Sequence, residues 1–333
     1  MLEKFGINYP VIQAPMAGIT TPEFVAACAN AGILGAIGAG YLNGEETRAL
    51  IRDVKTLTRL PFMVNVFVPE DNERDEEMIK KAVADLAPVR KVLGVPKEEY
   101  QLQPSPFNEQ INVIIEEGVK ICSFTFGLPN DEVIRRLKAE NVFLIGTATT
   151  KREAVLAEEA GMDAVVVQGA EAGGHRGSFD GPLTLIPLRE LLADVVQFVR
   201  IPVIAAGGIV SKELAEQAFT LGAKAVQIGT ALLATEESGA HFLHKEAVLQ
   251  AVEGSTGMTD AFSGKAARGI RNLFMEVMTE ATIAPYPIQN NLTKAIRKEA
   301  ARQGNANYMS LWAGEHVHLC GGGTVRDVIS KLI

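Results

Sequence analysis

One histidine is placed to do chemistry. His175 follows the glycine pair Gly173 and Gly174 in "VVVQGAEAGGHRGSF" (165–179), where a run of valines stops at Gln168. An imidazole changes charge near neutral pH, so it can take or give a proton where most side chains cannot. Glycines beside it let the backbone carry the ring over a pocket. His175 is therefore the candidate acid or base. Glu171 and Arg176 are its neighbours; Glu171 reads as a carboxylate that braces the loop.

Two further stretches point to an anion. "AAGGI" (205–209) and "QIGTALLA" (227–234) each lead from an apolar run into a helical pattern. Bare backbone N–H groups at such junctions suit a phosphate dianion. The expected contacts are Gly207, Gly208, Gln227, Ile228, Gly229 and Thr230. No lysine or aspartate cluster accompanies them, as a nucleoside triphosphate would need. FMN fits: one phosphate, a ribityl chain calling for amides such as Asn65 and Gln168, and a flat ring calling for an apolar floor. Met16 ends another apolar run and is expected at the same ligand. A phospho-sugar isomerase and a nucleotide dehydrogenase remain as alternatives. The dehydrogenase would need a cysteine after the sixth run, where "GAEAGGHRGSF" has none.

These residues must be held by a scaffold. Eight short apolar runs start at Pro10, Leu34, Phe62, Lys120, Val142, Ala164, Pro202 and Ala225. Near-continuous apolar character marks strands buried on both faces. Helical patterns separate them, several opening at Ser, Thr or Asp and closing at Gly or Asn; "SKELAE" and "TKREAV" are the clearest. Repeated βα units predict parallel strands with right-handed crossovers. The fold class is α/β, a (β/α)8 TIM barrel with a mainly helical cap inserted near the C-terminus. A doubly wound sheet is the alternative. "GAIGAG" only half-matches its dinucleotide fingerprint, with Asn43 where the third glycine should stand.

In a TIM barrel the strand ends carry the site. That directs attention to Met16, Asn65, Phe126, Thr147, Gln168 and the two glycine junctions. Residues 69–110 read as an extended connection with a helix. Residues 1–235 and 306–333 are expected to form the barrel, and 236–305 the cap. The latter shows helical patterns without strands, among them "GMTDAFSGKAARGIRN". "SLWAGE" (310–315) brings Trp312 back towards the mouth.

Composition bounds the rest. A net charge of −8, with scattered basic residues, gives no support for nucleic-acid binding. Three cysteines, Cys28, Cys122 and Cys320, form no disulfide framework and suit a reducing cytoplasm. No signal peptide or membrane segment is evident, since the longest apolar stretch falls short of the roughly 18 residues a spanning helix needs. "HVHLC" (316–320) mimics zinc spacing but lacks a fourth ligand, so no metal is expected.

With these residues in view, the chain resembles the nitronate monooxygenase family. The resemblance runs over nearly the whole chain. It is carried by "PVIQAPMAGITTPEFVAACANAGILGAIGAG", "MVNVF", "SFTFG", "VVVQGAEAGGHRGSF", "PVIAAGGI", "AVQIGTALL" and "SLWAGE". It implies a TIM barrel binding FMN, and oxidation of alkyl nitronates by O2 to a carbonyl compound and nitrite. It implies FMN contacts at Asn65, Gln168, Gly173, Gly208 and Gln227 to Thr230, with His175 as the active-site histidine. It permits a homodimer. One departure is Glu315, where the family pattern leads us to expect glutamine. Related scaffolds give two rival readings, an FMN-dependent enoyl-acyl-carrier-protein reductase and an NADH:quinone reductase.

Overall fold

The computed structural model describes residues 5–70, 75–96 and 104–333. Parts of the 69–110 connection therefore lie outside the described residues. Eight parallel strands form a TIM barrel: β1 (Val11–Gln13), β2 (Gly35–Gly38), β3 (Phe62–Phe67), β4 (Ile121–Thr125), β5 (Phe143–Ala148), β6 (Ala164–Gln168), β8 (Val203–Ala206) and β9 (Ala225–Ile228). Each coincides with one of the eight apolar runs. The order around the sheet is β1-β9-β8-β6-β5-β4-β3-β2. A parallel bridge between Ile12 and Leu34 joins its ends. Leu34 N donates to Val11 O and Gln13 N to Leu34 O.

The strands read as unbroken apolar runs because both faces are covered. In β6, Val165 and Val167 pack outward in the layer shared with the helices. Ala164 and Val166 point into the barrel with Ile12, Met63, Ile145 and Ile204. The helices start where the cap chemistry says. Thr150 and Glu153 form a capping box for the helix Lys151–Glu159, and Ser211 caps Lys212–Thr220.

A second apolar cluster sits apart from the barrel. It joins Phe262, Phe274, Leu292 and Ile296 from the proposed cap segment to Ile79, Leu86 and Leu93. Ile79 lies on the helix Glu76–Asp85 and Leu93 on the helix Ala87–Leu93, with Leu86 at the joint between them, where a single helix was expected. A further difference is that "GMTDAFSGKAARGIRN" is not helical. It holds most of β10 (Thr256–Thr259) and all of β11 (Ala267–Ile270), an antiparallel hairpin. The hairpin pairs with β7 (Gly174–His175), so Ala267 faces His175 and Arg268 faces Gly174. Four-residue strands carry too little periodicity to betray themselves, and their partner lies far away in sequence.

Candidate active site

One large cavity opens at the C-terminal ends of the barrel strands, with about 1310 Å³ of atom-free space including its mouth. All twelve residues singled out as site candidates line it. Met16, Asn65 and Gln168 come from the ends of β1, β3 and β6; Gly173, Gly174 and His175 from the next loop; Gly207, Gly208 and Gln227 to Thr230 from beyond β8 and β9. Tyr41, Phe67, Phe126 and Trp312 complete an aromatic wall on one side.

The loop carrying His175 is pinned rather than free to swing. Gln168 spends its side-chain amide on it: Nε2 donates to His175 O at 3.0 Å, and Oε1 accepts from Gly177 N at 2.9 Å. This differs from an amide held open for a ligand, although Gln168 keeps one donor and one lone pair in reserve. Arg176 turns away from the cavity and is fully buried; it donates to Gly169 O and to Gln168 O at 3.0 Å. Glu171 accepts from Leu188 N. Glu153, also fully buried, holds Phe179 N and Asp180 N. Gly173 is required where it is, because a Cβ there would stand 2.5 Å from Gly314 N.

His175 Nε2 lies 2.8 Å from Ser263 Oγ, on the hairpin. Ser263 has one proton, and it points to Lys265 O at 3.1 Å. Satisfying both contacts makes Ser263 the acceptor and His175 Nε2 the donor. That assignment leaves Nδ1 as a bare lone pair; no partner for it stands among the described residues. Burial is the main cause that holds the His175 pKa far below the usual range, at about 3, and the Arg297 and Lys265 cations add to it. The ring is thus neutral at physiological pH. Lys265 is itself paired with Glu70 and sits 4.6 Å over the Phe126 ring.

Aromatic rings fix the histidine plane. Phe126 meets it edge-on at 5.7 Å and Trp312 at 5.3 Å. Tyr286 packs at 5.2 Å from Phe126. Phe126 takes a left-handed backbone, φ +72°, which costs a non-glycine residue about 1–3 kcal/mol. Such strain is tolerated where the ring's position matters. Asn65 is nearly sealed at 2 % exposure. Its side-chain amide meets Ser123 Oγ at 2.9 Å and Thr125 Oγ1 at 3.1 Å. Both hydroxyls can donate or accept, so Asn65 can present either end of its amide to a ligand.

Elsewhere on the cavity wall the two glycine junctions are neighbours, because they follow the paired strands β8 and β9. Gly207 and Gly208 have φ of +120° and +67°, open to glycine and strained for other residues. They do not form the bare helix start that was expected. Three residues intervene before the helix Lys212–Thr220 begins, and Ser211 Oγ already accepts from Leu214 N. Gly229 is different: the turn Thr230–Leu233 follows it with no side-chain cap. Backbone donors therefore remain available at this second junction.

Other candidates fall outside the chemistry. Glu315 does not line the cavity; its half-exposed carboxylate faces Arg268 at 3.8 Å. His244 is buried with Nε2 at 3.0 Å from Trp312 O, supporting the wall from behind. Among the described residues, no three His, Cys, Asp or Glu gather to hold a metal ion. Ser263 and Tyr286 escaped the sequence reading. Their only signal is proximity to His175, which the chain creates by folding the hairpin against β7.

A parallel eight-stranded barrel with a deep polar-and-aromatic cavity at its C-terminal mouth defines a TIM-barrel enzyme. Comparison with known proteins makes the class specific. The family model described as nitronate monooxygenase matches residues 1–333. A relative named probable nitronate monooxygenase from Staphylococcus haemolyticus (strain JCSC1435) is 44% identical, covering 100% of this chain and 95% of its own length. One of the same name from Staphylococcus aureus (strain Newman) is also 44% identical, covering 100% and 96%. Among solved structures, a nitroalkane oxidase from Streptomyces ansochromogenes superposes with a TM-score of 0.93 at 35% identity, covering 100% of this chain and 96% of that one. FabK from Thermotoga maritima gives 0.78 at 29%, covering 99% and 93%. The chain belongs to the nitronate monooxygenase family, and is an oxidoreductase of the monooxygenase type. Flavin dependence is typical of that family. Among the described residues, no helix is long and apolar enough to cross a membrane.

Proposed function

We propose that the protein is an FMN-dependent nitronate monooxygenase, oxidising alkyl nitronates with O2 to a carbonyl compound and nitrite. The observation that carries this reading is that the glycine junctions and His175 line a single cavity. A mononucleotide bound there would have its phosphate held by the glycine junctions, in the cavity that His175 also lines.

The residues present fit that cofactor. A side chain at Gly208 would press on His316 and Glu171, with atoms 2.9–3.1 Å away. Without one, phosphate oxygens can reach the backbone. Gly207, Gly208, Gly229 and Thr230 would hold the phosphate. Asn65 and the spare valences of Gln168 would meet the ribityl hydroxyls, and Met16 would lie under the ring. Bound there, the flavin would supply the electron chemistry, taking electrons from the nitronate and passing them to O2.

The protein's own part is orientation and proton control. Ser263 keeps the proton of His175 on Nε2, so Nδ1 is the atom able to accept one. A nitronate arrives already deprotonated and asks for no base. A neutral nitroalkane needs its α-proton removed, and an imidazole with a pKa of about 3 is weakly basic. The nitronate formed beside it would raise that value by opposite-charge attraction. Nitronates are therefore the better substrates, and nitroalkanes slower ones. The aromatic wall of Tyr41, Phe67, Phe126 and Trp312 would exclude water from the reacting face.

The test is direct. The purified protein should release FMN on denaturation. The native protein should convert propionate 3-nitronate aerobically with one nitrite per nitronate consumed. A colourless protein, or a flavoprotein that forms no nitrite, would contradict the proposal.

A further inference from the structure

The segment 312–316 is bonded to both glycine junctions. Gly314 N donates to Thr230 Oγ1 at 2.9 Å, and His316 Nδ1 lies 2.7 Å from Gly208 O. Glu315 N also donates to Glu171 O at 2.9 Å. A carbonyl oxygen only accepts, so His316 Nδ1 must carry a proton. Its other nitrogen, Nε2, has no partner among the described residues.

The cavity wall has a shortage that gives this ring a task. Among the described residues no lysine, arginine, aspartate or glutamate lines it, and the imidazoles that do are His175 and His316. His175 is committed to the cap through Ser263. A phosphate dianion held by backbone N–H groups alone would be under-compensated in so enclosed a site. Among the described residues that line the cavity, His316 is the basic side chain beside the junctions.

We propose that His316 is a cofactor-binding residue that reads the terminal phosphate of the mononucleotide through Nε2. This rests on the FMN reading above. With Nδ1–H fixed on Gly208 O, Nε2 and a phosphate oxygen share one proton, and the resulting hydrogen bond is charge-assisted whichever atom holds it. The "HVHLC" motif thus serves an anion and leaves zinc aside.

Riboflavin, which is FMN without its phosphate, isolates the contact. Apoprotein is titrated with each flavin, using quenching of flavin fluorescence, for wild type and for His316→Asn. Asparagine places a nitrogen near the Nδ1 position, able to donate to Gly208 O, and nothing at Nε2. FMN affinity should fall about 10–100-fold, with riboflavin affinity unchanged to within about 2-fold. Equal loss for both flavins would mean that His316 only braces the loop, and an unchanged FMN affinity would also overturn the proposal. A wild type that binds both flavins equally would remove the FMN reading and this proposal together. A second measurement needs no variant. In 15N-histidine-labelled wild type, FMN should shift the His316 Nε2 resonance and riboflavin should not; the same response to both would overturn the assignment.

Discussion

The two ends of the cavity are built from different materials. The junction end is mostly backbone, set by Gly207, Gly208 and Gly229 at the ends of β8 and β9. The reacting end is mostly side chain, and its parts come from separate places: His175 after β6, Ser263 on the hairpin, Tyr286 before the helix Ile288–Arg302, and Trp312 from the returning chain. Backbone donors suit a charge common to many ligands, and side chains gathered from several segments can select the chemistry. The comparison teaches that one barrel can keep its cofactor end while its cap changes the substrate.

Substitutions at each end should separate the two roles. The largest effect is expected at the reacting end. His175→Asn should lower turnover of a neutral nitroalkane about 100-fold or more, and turnover of the matching nitronate by less than about 10-fold. Steady-state rates on the pair decide it, and equal losses would show that His175 is not the base. At the junction end, Gly208→Val forces a β-branched residue into a left-handed backbone against His316. The strain should cost about 2–3 kcal/mol, roughly a 100-fold loss of FMN affinity. Flavin content after purification checks this; full occupancy would remove the junction from the cofactor site.

Smaller effects sharpen the reacting end. Ser263→Ala leaves His175 Nε2 without its acceptor. Nitroalkane turnover should fall about 10-fold, with FMN content unchanged, and a fall in flavin content instead would make Ser263 structural. Arg297→Met removes a cation that disfavours the His175 imidazolium. The imidazole pKa should rise, so the acid limb of the nitroalkane rate profile should move to higher pH. A shift to lower pH would contradict the electrostatic assignment.

The same contrast governs what could be read from the sequence. The eight strands were legible because burial on both faces leaves runs such as "AVVVQ" with hardly a polar residue. The first glycine junction was legible because the backbone at Gly207 and Gly208 needs glycine. The Ser263–His175 contact was not, since 88 residues separate the partners. Nor was the hairpin, whose strands have four residues each. Gln168 was placed correctly in the cavity, yet its amide also serves the loop, a choice made by the turn at Gly177. The packing of segment 261–311 against helices 76–93 was hidden for a similar reason: their apolar faces meet partners more than 160 residues away.

The central claim is that electrons enter this site from a nitronate. Anaerobic mixing of the flavin-loaded protein with propionate 3-nitronate, and separately with NADH, tests it most directly. The account predicts loss of the oxidised flavin's visible absorbance with the nitronate and none with NADH. Reduction by NADH alone would contradict it and assign the cavity to a reductase.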